Sequence, residues 1–155
     1  MIKALLFDFS RTLLFPKDKT YQGEVNALYR KLAQAPGFDF LANFELNSEM
    51  MIFLGHLKGR YKLAMFTSGT IQDAPEIKDV IAETFDEIFS AERMMITKDE
   101  QQSYKRIAGL LGLPAEEILF IDDLLKNIQA ASIAGLAVFQ YKDNESLMDY
   151  ITGLE

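Results

Sequence analysis

Five apolar runs of strand length, most of them stopping on a hydroxyl or carboxyl side chain, constrain this chain more than any other feature. Ile2–Phe7 stops at Asp8, Leu63–Phe66 at Thr67-Ser68-Gly69, and Ile118–Ile121 at Asp122-Asp123. Ile88–Ser90 is a weaker run and Leu136–Phe139 closes the series. The runs are apolar throughout rather than alternating, which suits strands buried on both faces of a parallel sheet. Helical stretches lie between them. Asp73-Ala74-Pro75-Glu76 reads as an N-cap with proline in the first turn, opening a helix to about Glu83. Thr97-Lys98-Asp99-Glu100 fits a capping box ahead of Tyr104, Ile107 and Leu111, with Gly112 as the stop. Further helices are expected over Leu124–Ala134 and Ser146–Ile151. The alternation predicts an α/β fold, a doubly wound, five-stranded, parallel Rossmann-like sheet.

Residues 13–46 break the rhythm. A plain crossover takes about a dozen residues or slightly more, and this stretch is far longer. It carries a helix from about Glu24 to Gln34, then Phe38, Phe40 and Phe44, ahead of a helix near Ser48–Leu57. We read residues 1–155 as one domain, with a core of 1–14 and 47–155 and a small helical cap insertion over about 15–46. The three phenylalanines are expected to be that cap's own core.

Composition narrows the chemistry. The chain has no Cys and a single His, His56, so disulfides, thiolate nucleophiles, Cys-based metal sites and multi-His sites are excluded. A formal net charge of −7 argues against nucleic acid as partner. No apolar run approaches the roughly 20 residues that span a bilayer, and the apolar start at Ala4–Phe7 is too short for a signal peptide. No membrane partner and a cytoplasmic location are the expectations. Carboxylates must then do most of any chemistry.

In an open parallel sheet, ligands bind outside the carboxyl ends of the strands, where the strand order reverses. Asp8, Thr67-Ser68 and Asp122-Asp123 each fall at such an end. Carboxylates gathered at one edge repel one another without a cation, and an all-oxygen set suits Mg²⁺.

These residues resemble the haloacid dehalogenase-like (HAD) superfamily. Phe7-Asp8-Phe9-Ser10-Arg11-Thr12 is similar to its first motif, Asp-x-Asp-x-Thr. Leu63–Gly69 is similar to the second, Lys98 falls where the third-motif lysine is expected, and Phe120–Ala131 is close to the fourth. The resemblance implies that Asp8 is a nucleophile forming an aspartyl-phosphate and also a Mg²⁺ ligand. It implies that Asp122, Asp123 and the backbone carbonyl of Ser10 complete the metal site. Thr67, Ser68 and Lys98 would hold phosphate, with Arg11 a further candidate for substrate contact, and Thr12 and Asn127 would brace the ligands. The positioning and charge neutralisation that phosphoryl transfer requires agree with those residue types.

One position departs from the family. Its phosphatases carry a second Asp two residues after the nucleophile, as general acid and then base, and here that residue is Ser10. Losing such assistance typically costs about 10²- to 10⁴-fold in rate. The expectation is a Mg²⁺-dependent phosphohydrolase, impaired or specialised for activated substrates such as acyl or aryl phosphates. The alternatives are a catalytically degenerate binding or regulatory protein and a metal-independent dehalogenase. The partner is expected to be a phosphorylated small molecule or protein, with a homo-oligomer as a possible cover for the open site. Lys17, Lys19, Arg30 and Lys31 form a candidate basic rim, and His56, Met50 and Met51 read as structural.

Overall fold

The computed structural model describes residues 1–154. In chain order these form β1 (Ala4–Phe7), β2 (Leu14–Pro16), α1 (Val25–Leu32), α2 (Phe40–Asn43), β3 (Phe44–Leu46), α3 (Ser48–Leu57) and β4 (Lys62–Thr67). There follow α4 (Lys78–Thr84), β5 (Glu87–Ser90), α5 (Ala91–Met94), α6 (Gln101–Leu111), β6 (Ile118–Asp122), α7 (Leu125–Ile133), β7 (Ala137–Gln140) and α8 (Asn144–Thr152). The five expected strands make one sheet in the order β5-β4-β1-β6-β7, with every neighbouring pair parallel.

The continuous apolar runs split by strand period into two faces. Leu5, Phe7, Leu63, Met65, Leu119 and Ile121 share a cluster with Met50 and Leu54 of α3, Ile81 of α4, and Leu147 and Ile151 of α8. Ala4, Leu6, Ala64, Phe66, Ile118 and Phe120 share the other, with Tyr104 and Ile107 of α6 and Ala131 of α7. Each fully buried Leu, Ile, Met or Phe is worth about 1.5–3 kcal/mol over its exposed state, so both faces contribute. Sequentially the chain moves from β1 to β4 and β5 on one side, then to β6 and β7 on the other. The order therefore reverses at β1, and the carboxyl ends of β4, β1 and β6 lie side by side there.

Two helix starts differ from the sequence expectation. Ala74 is extended (ψ 131°), as the residue before a proline tends to be. Asp73 therefore ends a short 3-10 turn and pairs with Arg93, and α4 begins only at Lys78. Thr97 does not cap α6 either. That helix starts at Gln101, and the Thr97 carbonyl instead accepts a hydrogen bond from Ser103 Oγ. The Gly112 stop is as expected, in the left-handed conformation at φ 69°.

The stretch between β1 and α3 holds more than helices. β2 and β3 form an antiparallel ribbon that pairs Leu14 with Leu46 and Pro16 with Phe44. Above it Phe40 and Phe44 are buried, and Tyr29 of α1 meets Phe38, Phe40 and Phe44 at 5.9, 6.0 and 6.1 Å between ring centroids. α1 leans onto the loop after β4, where a Cβ on Gly69 would lie 2.6 Å from Asn26 Oδ1. Glycine is what permits that approach. Among the described residues, no helix is long and apolar enough to cross a membrane.

Candidate active site

Because β1 and β6 run in register, with Phe7 beside Ile121, their ends deliver acids to one place. The Asp8 amide donates to the Ile121 carbonyl at 2.8 Å, which fixes Asp8 against the Asp122-Asp123 turn. Oxygen atoms of Asp8, Asp122 and Asp123 gather within 4.8 Å of one another. Lys98 supplies the counter-charge. Its Nζ donates to Asp8 Oδ1 and lies 3.0 Å from Asp122 Oδ2, over the rings of Phe66 (5.4 Å) and Phe120 (5.7 Å).

Each member is held by neighbours. Thr12 Oγ1 donates to Asp8 Oδ2 at 3.2 Å. Asp122 is fully buried; its Oδ1 accepts from the Leu124 amide at 2.8 Å, and its Oδ2 accepts from Asn127 Nδ2 at 3.0 Å as well as facing Lys98. Asp122 thus acts as an anchor with three donors on its two oxygens, whereas Asp8 accepts one on each and the half-buried Asp123 lines the cavity. Tyr104 fixes Lys98 from behind. Its hydroxyl donates to the Lys98 carbonyl, and its ring packs on Phe66 at 5.7 Å and Phe120 at 4.9 Å. Such ring pairs add about 0.5–1.5 kcal/mol each beyond their buried area.

Electrostatics follow from burial. Asp8 is raised to about 6, by desolvation first, with Lys98 pulling it down and Asp122 pushing it up. Asp123 is raised to about 8 by desolvation and then by the charges of Asp8 and Asp122. Burial alone would lower Lys98, but Asp8 and Asp122 outweigh it, so Lys98 is raised and stays charged. Three carboxylates share one ammonium, and the donor set is all oxygen. That arrangement fits a hard divalent cation such as Mg²⁺.

Folded-state values above the ordinary carboxylate value of 3.8 mean that the stability Asp8 and Asp123 contribute is fully present only below that pH. It is lost as pH rises through about 6 for Asp8 and about 8 for Asp123. Asp123→Asn removes the second of these losses. At pH 8 without metal the variant should melt above the parent, by about 1–2 kcal/mol or roughly 2–8 °C, and the difference should shrink at pH 5. Adding Mg²⁺ should raise the melting temperature of the parent but not of the variant, as read by differential scanning calorimetry.

The cluster opens into a cavity of about 540 Å³, lined by Asp8, Ser10, Arg11, Ser68, Lys98 and Asp123 among others. Thr67, at the end of β4, is buried and outside the lining, whereas Ser68 is exposed and within it. Ser10 Oγ is buried without a hydrogen-bond partner. Arg11 has φ 61° and donates through Nη2 to the carbonyls of Tyr21 (3.0 Å) and Gly23 (2.7 Å). The candidate basic rim does not form: Lys17, Lys19, Arg30 and Lys31 are exposed and none lines the cavity, and Lys19 pairs with Glu45 at 2.6 Å. His56 is exposed outside it, and Met50 and Met51 are buried in packing. The sequence reading missed Val25 and Asn26 from α1 and Ala91 and Ile96 beyond β5, which also line the cavity. Ala91 and Ile96 follow a strand end, so the rule that located the carboxylates points to them too. Val25 and Asn26 carried no such signal.

Comparison with known proteins agrees with this geometry. Residues 39–135 match the family profile described as haloacid dehalogenase-like hydrolase. Enolase-phosphatase E1 of Gluconobacter oxydans is 34% identical over 88 residues, covering 54% of this chain and 38% of that protein. The same-named protein of Pseudomonas aeruginosa is 54% identical over a shorter stretch of 39 residues, 25% of this chain and 17% of its own length. The chain thus matches well under half the length of these curated relatives. Among solved structures, a HAD family enzyme of Bacteroides thetaiotaomicron, a mutant in complex with magnesium and inorganic phosphate, superposes with TM-score 0.73 at 15% identity, over 96% of this chain and 99% of that one. A 2-haloacid dehalogenase of Pseudomonas syringae gives TM-score 0.66 at 18% identity, over 91% and 86%. At such identities the likeness is one of fold.

Proposed function

The chain belongs to the haloacid dehalogenase-like hydrolase family, and from that premise we propose that it is a Mg²⁺-dependent phosphohydrolase working through Asp8. The observation that carries the reading is the cluster itself: three carboxylates and one buried lysine at the strand-order reversal, opening into a cavity. The phosphatase name of the curated relatives and the magnesium and phosphate bound by the Bacteroides enzyme support it.

Asp8, Asp123 and the carbonyl of Ser10 would hold the metal, with Asp122 orienting them. When bound, the cation supplies charge neutralisation between an anionic carboxylate and an anionic phosphate. The chain's own residues do the rest. Ser68, beside Thr67, and Lys98 position the phosphoryl group. An Asp8 carboxylate oxygen attacks phosphorus, and the bond from phosphorus to the leaving oxygen breaks, with its electron pair departing on the leaving group. Water then attacks the aspartyl-phosphate, releasing inorganic phosphate and restoring Asp8. Lys98 stays charged throughout and offsets the negative charge that develops on the phosphoryl oxygens.

Ser10 can neither protonate the leaving group nor activate the water. The substrates favoured are therefore those whose leaving groups depart unprotonated, the acyl and aryl phosphates. We place the insertion over residues 15–46 as the cap that forms the outer wall of the cavity. The carboxylate cluster weighs against a metal-independent dehalogenase, since a divalent cation would offset the charge of three acids that share one buried lysine.

The test is hydrolysis of acetyl phosphate and p-nitrophenyl phosphate with Mg²⁺ and with EDTA, beside Asp8→Asn as the blank. Turnover should require Mg²⁺ and vanish in the blank. Mg²⁺ binding with no turnover of either ester would instead make the chain a phosphate-binding module. Turnover that persists in EDTA would overturn the metal-dependent reading.

A further inference from the structure

Arg11 stands at a position whose backbone favours glycine. Its φ of 61° lies in the left-handed region, where a Cβ is strained. The guanidinium is fixed by one nitrogen alone: Nη2 donates to both the Tyr21 and Gly23 carbonyls, and the group sits 6.0 Å from the centre of the Tyr21 ring. Nε and Nη1 have no acceptor among the described residues, yet Arg11 lines the cavity. A strap for the 21–23 loop needs no more than Nη2. The remaining donors form a preorganised, solvent-accessible cationic edge at the cavity.

The charges around it sharpen the point. Lys98 is committed to Asp8 and Asp122, and Lys126 lies in the field of Asp99. Arg11 and Lys126 are the lining cations with no carboxylate within ion-pair distance among the described residues, and of the two Arg11 is the one held in place, by its two carbonyl partners. It comes from the loop after β1 and is anchored to the insertion at Tyr21 and Gly23, whereas Lys98 is held at the carboxylate cluster. Glu24 and Glu92 also line the cavity and disfavour a second dianion there.

On the reading that this is a phosphoryl site, we propose that Arg11 is a specificity-determining residue that binds a carboxylate on the leaving group, so that the substrate class is phosphorylated carboxylic acids. Guanidinium–carboxylate pairing is charge-assisted, and a preorganised donor loses little freedom on binding. Val25, Ala91 and Ile96 line the same cavity and offer apolar surface to the leaving group's carbon body.

The test uses ligands that cannot be hydrolysed, in matched pairs and with Mg²⁺ present. Phosphonoacetate, phosphonopropionate and phosphonobutyrate are compared by calorimetry with methyl-, ethyl- and propylphosphonate. A bisphosphonate of similar span tests a second phosphate in place of the carboxylate. In the parent chain at least one carboxylated member should bind about tenfold or more tightly than its alkyl counterpart, a difference of about 1.4 kcal/mol, and more tightly than the bisphosphonate. In Arg11→Met and in Arg11→Gly that ratio should fall to within about twofold, whatever happens to the alkyl ligands themselves, while Arg11→Lys should keep part of it. Two variants are used because glycine relieves the backbone strain and methionine retains it. No preference for carboxylate in the parent, or a preference that survives both variants, overturns the proposal and reduces Arg11 to a loop strap. Tighter binding of the bisphosphonate overturns the choice of carboxylate. If no phosphonate binds even to the parent, the phosphoryl-site reading fails first, and this inference falls with it.

Discussion

Lys98→Met should cost about 3–5 kcal/mol of folding stability at pH 7.5 and remove phosphohydrolase turnover altogether. Lys98 is 6% exposed, and among the described residues its ammonium is the one positive charge paired with both Asp8 and Asp122, which are 4% and 0% exposed. Methionine fills nearly the same volume against Phe66 and Phe120, so little packing is lost. What remains is a pair of buried carboxylates without a counter-charge, and that electrostatic loss is a large share of the roughly 5–15 kcal/mol that holds a domain of this size together. The chain has one escape, which is to protonate Asp8, already raised to about 6 with Lys98 present. The deficit should therefore shrink when the same urea denaturation is run at pH 5. A loss below about 1 kcal/mol at pH 7.5 would mean that the ion pair carries no more weight than a surface one.

Ser10→Asp should raise the turnover of alkyl phosphates by about 10²- to 10⁴-fold and that of aryl phosphates by less. Only the backbone carbonyl of residue 10 is assigned to the metal, so the cation site should survive the change. Ser10 Oγ is already buried without a partner beside the cavity, where a carboxyl could reach the leaving oxygen and later the attacking water. The gain should be larger for alkyl phosphates, which need the proton, than for acetyl phosphate, which does not. Steady-state rates on the three ester types measure it. Unchanged rates on all three would mean that the site lacks more than its acid.

Which parts of this molecule were legible in the sequence follows from how each is stabilised. Strands buried on both faces have no solvent side, so Leu63–Phe66 and Ile118–Ile121 stand out as unbroken apolar runs, and the hydroxyl and carboxyl residues that end them mark the site. β2 and β3 are three residues each, too short for any period to register, and the ribbon is made by pairing across a long insertion. Thr97–Glu100 looked like a helix cap because the local spacing allows it. The structure turns Lys98 inward instead, with Ser103 and Tyr104 holding the carbonyls of Thr97 and Lys98. A buried ion pair 90 residues apart in the chain competes with a local cap, and nothing in the spacing alone says which prevails. Arg11 could be placed in its motif, but its two carbonyl partners lie in a loop without pattern.

The most direct test of the phosphoryl chemistry on Asp8 is acid quenching after incubation with acetyl phosphate and Mg²⁺, followed by mass spectrometry of the intact chain and its peptides. With no general base at residue 10 the aspartyl-phosphate should outlive its formation. The expected result is a mass gain of one phosphoryl group, mapped to the peptide carrying Asp8, lost on treatment with hydroxylamine and absent in EDTA. An unmodified Asp8 in a chain that nevertheless releases phosphate with Mg²⁺, or an adduct on another residue, would contradict the assignment of Asp8 as nucleophile.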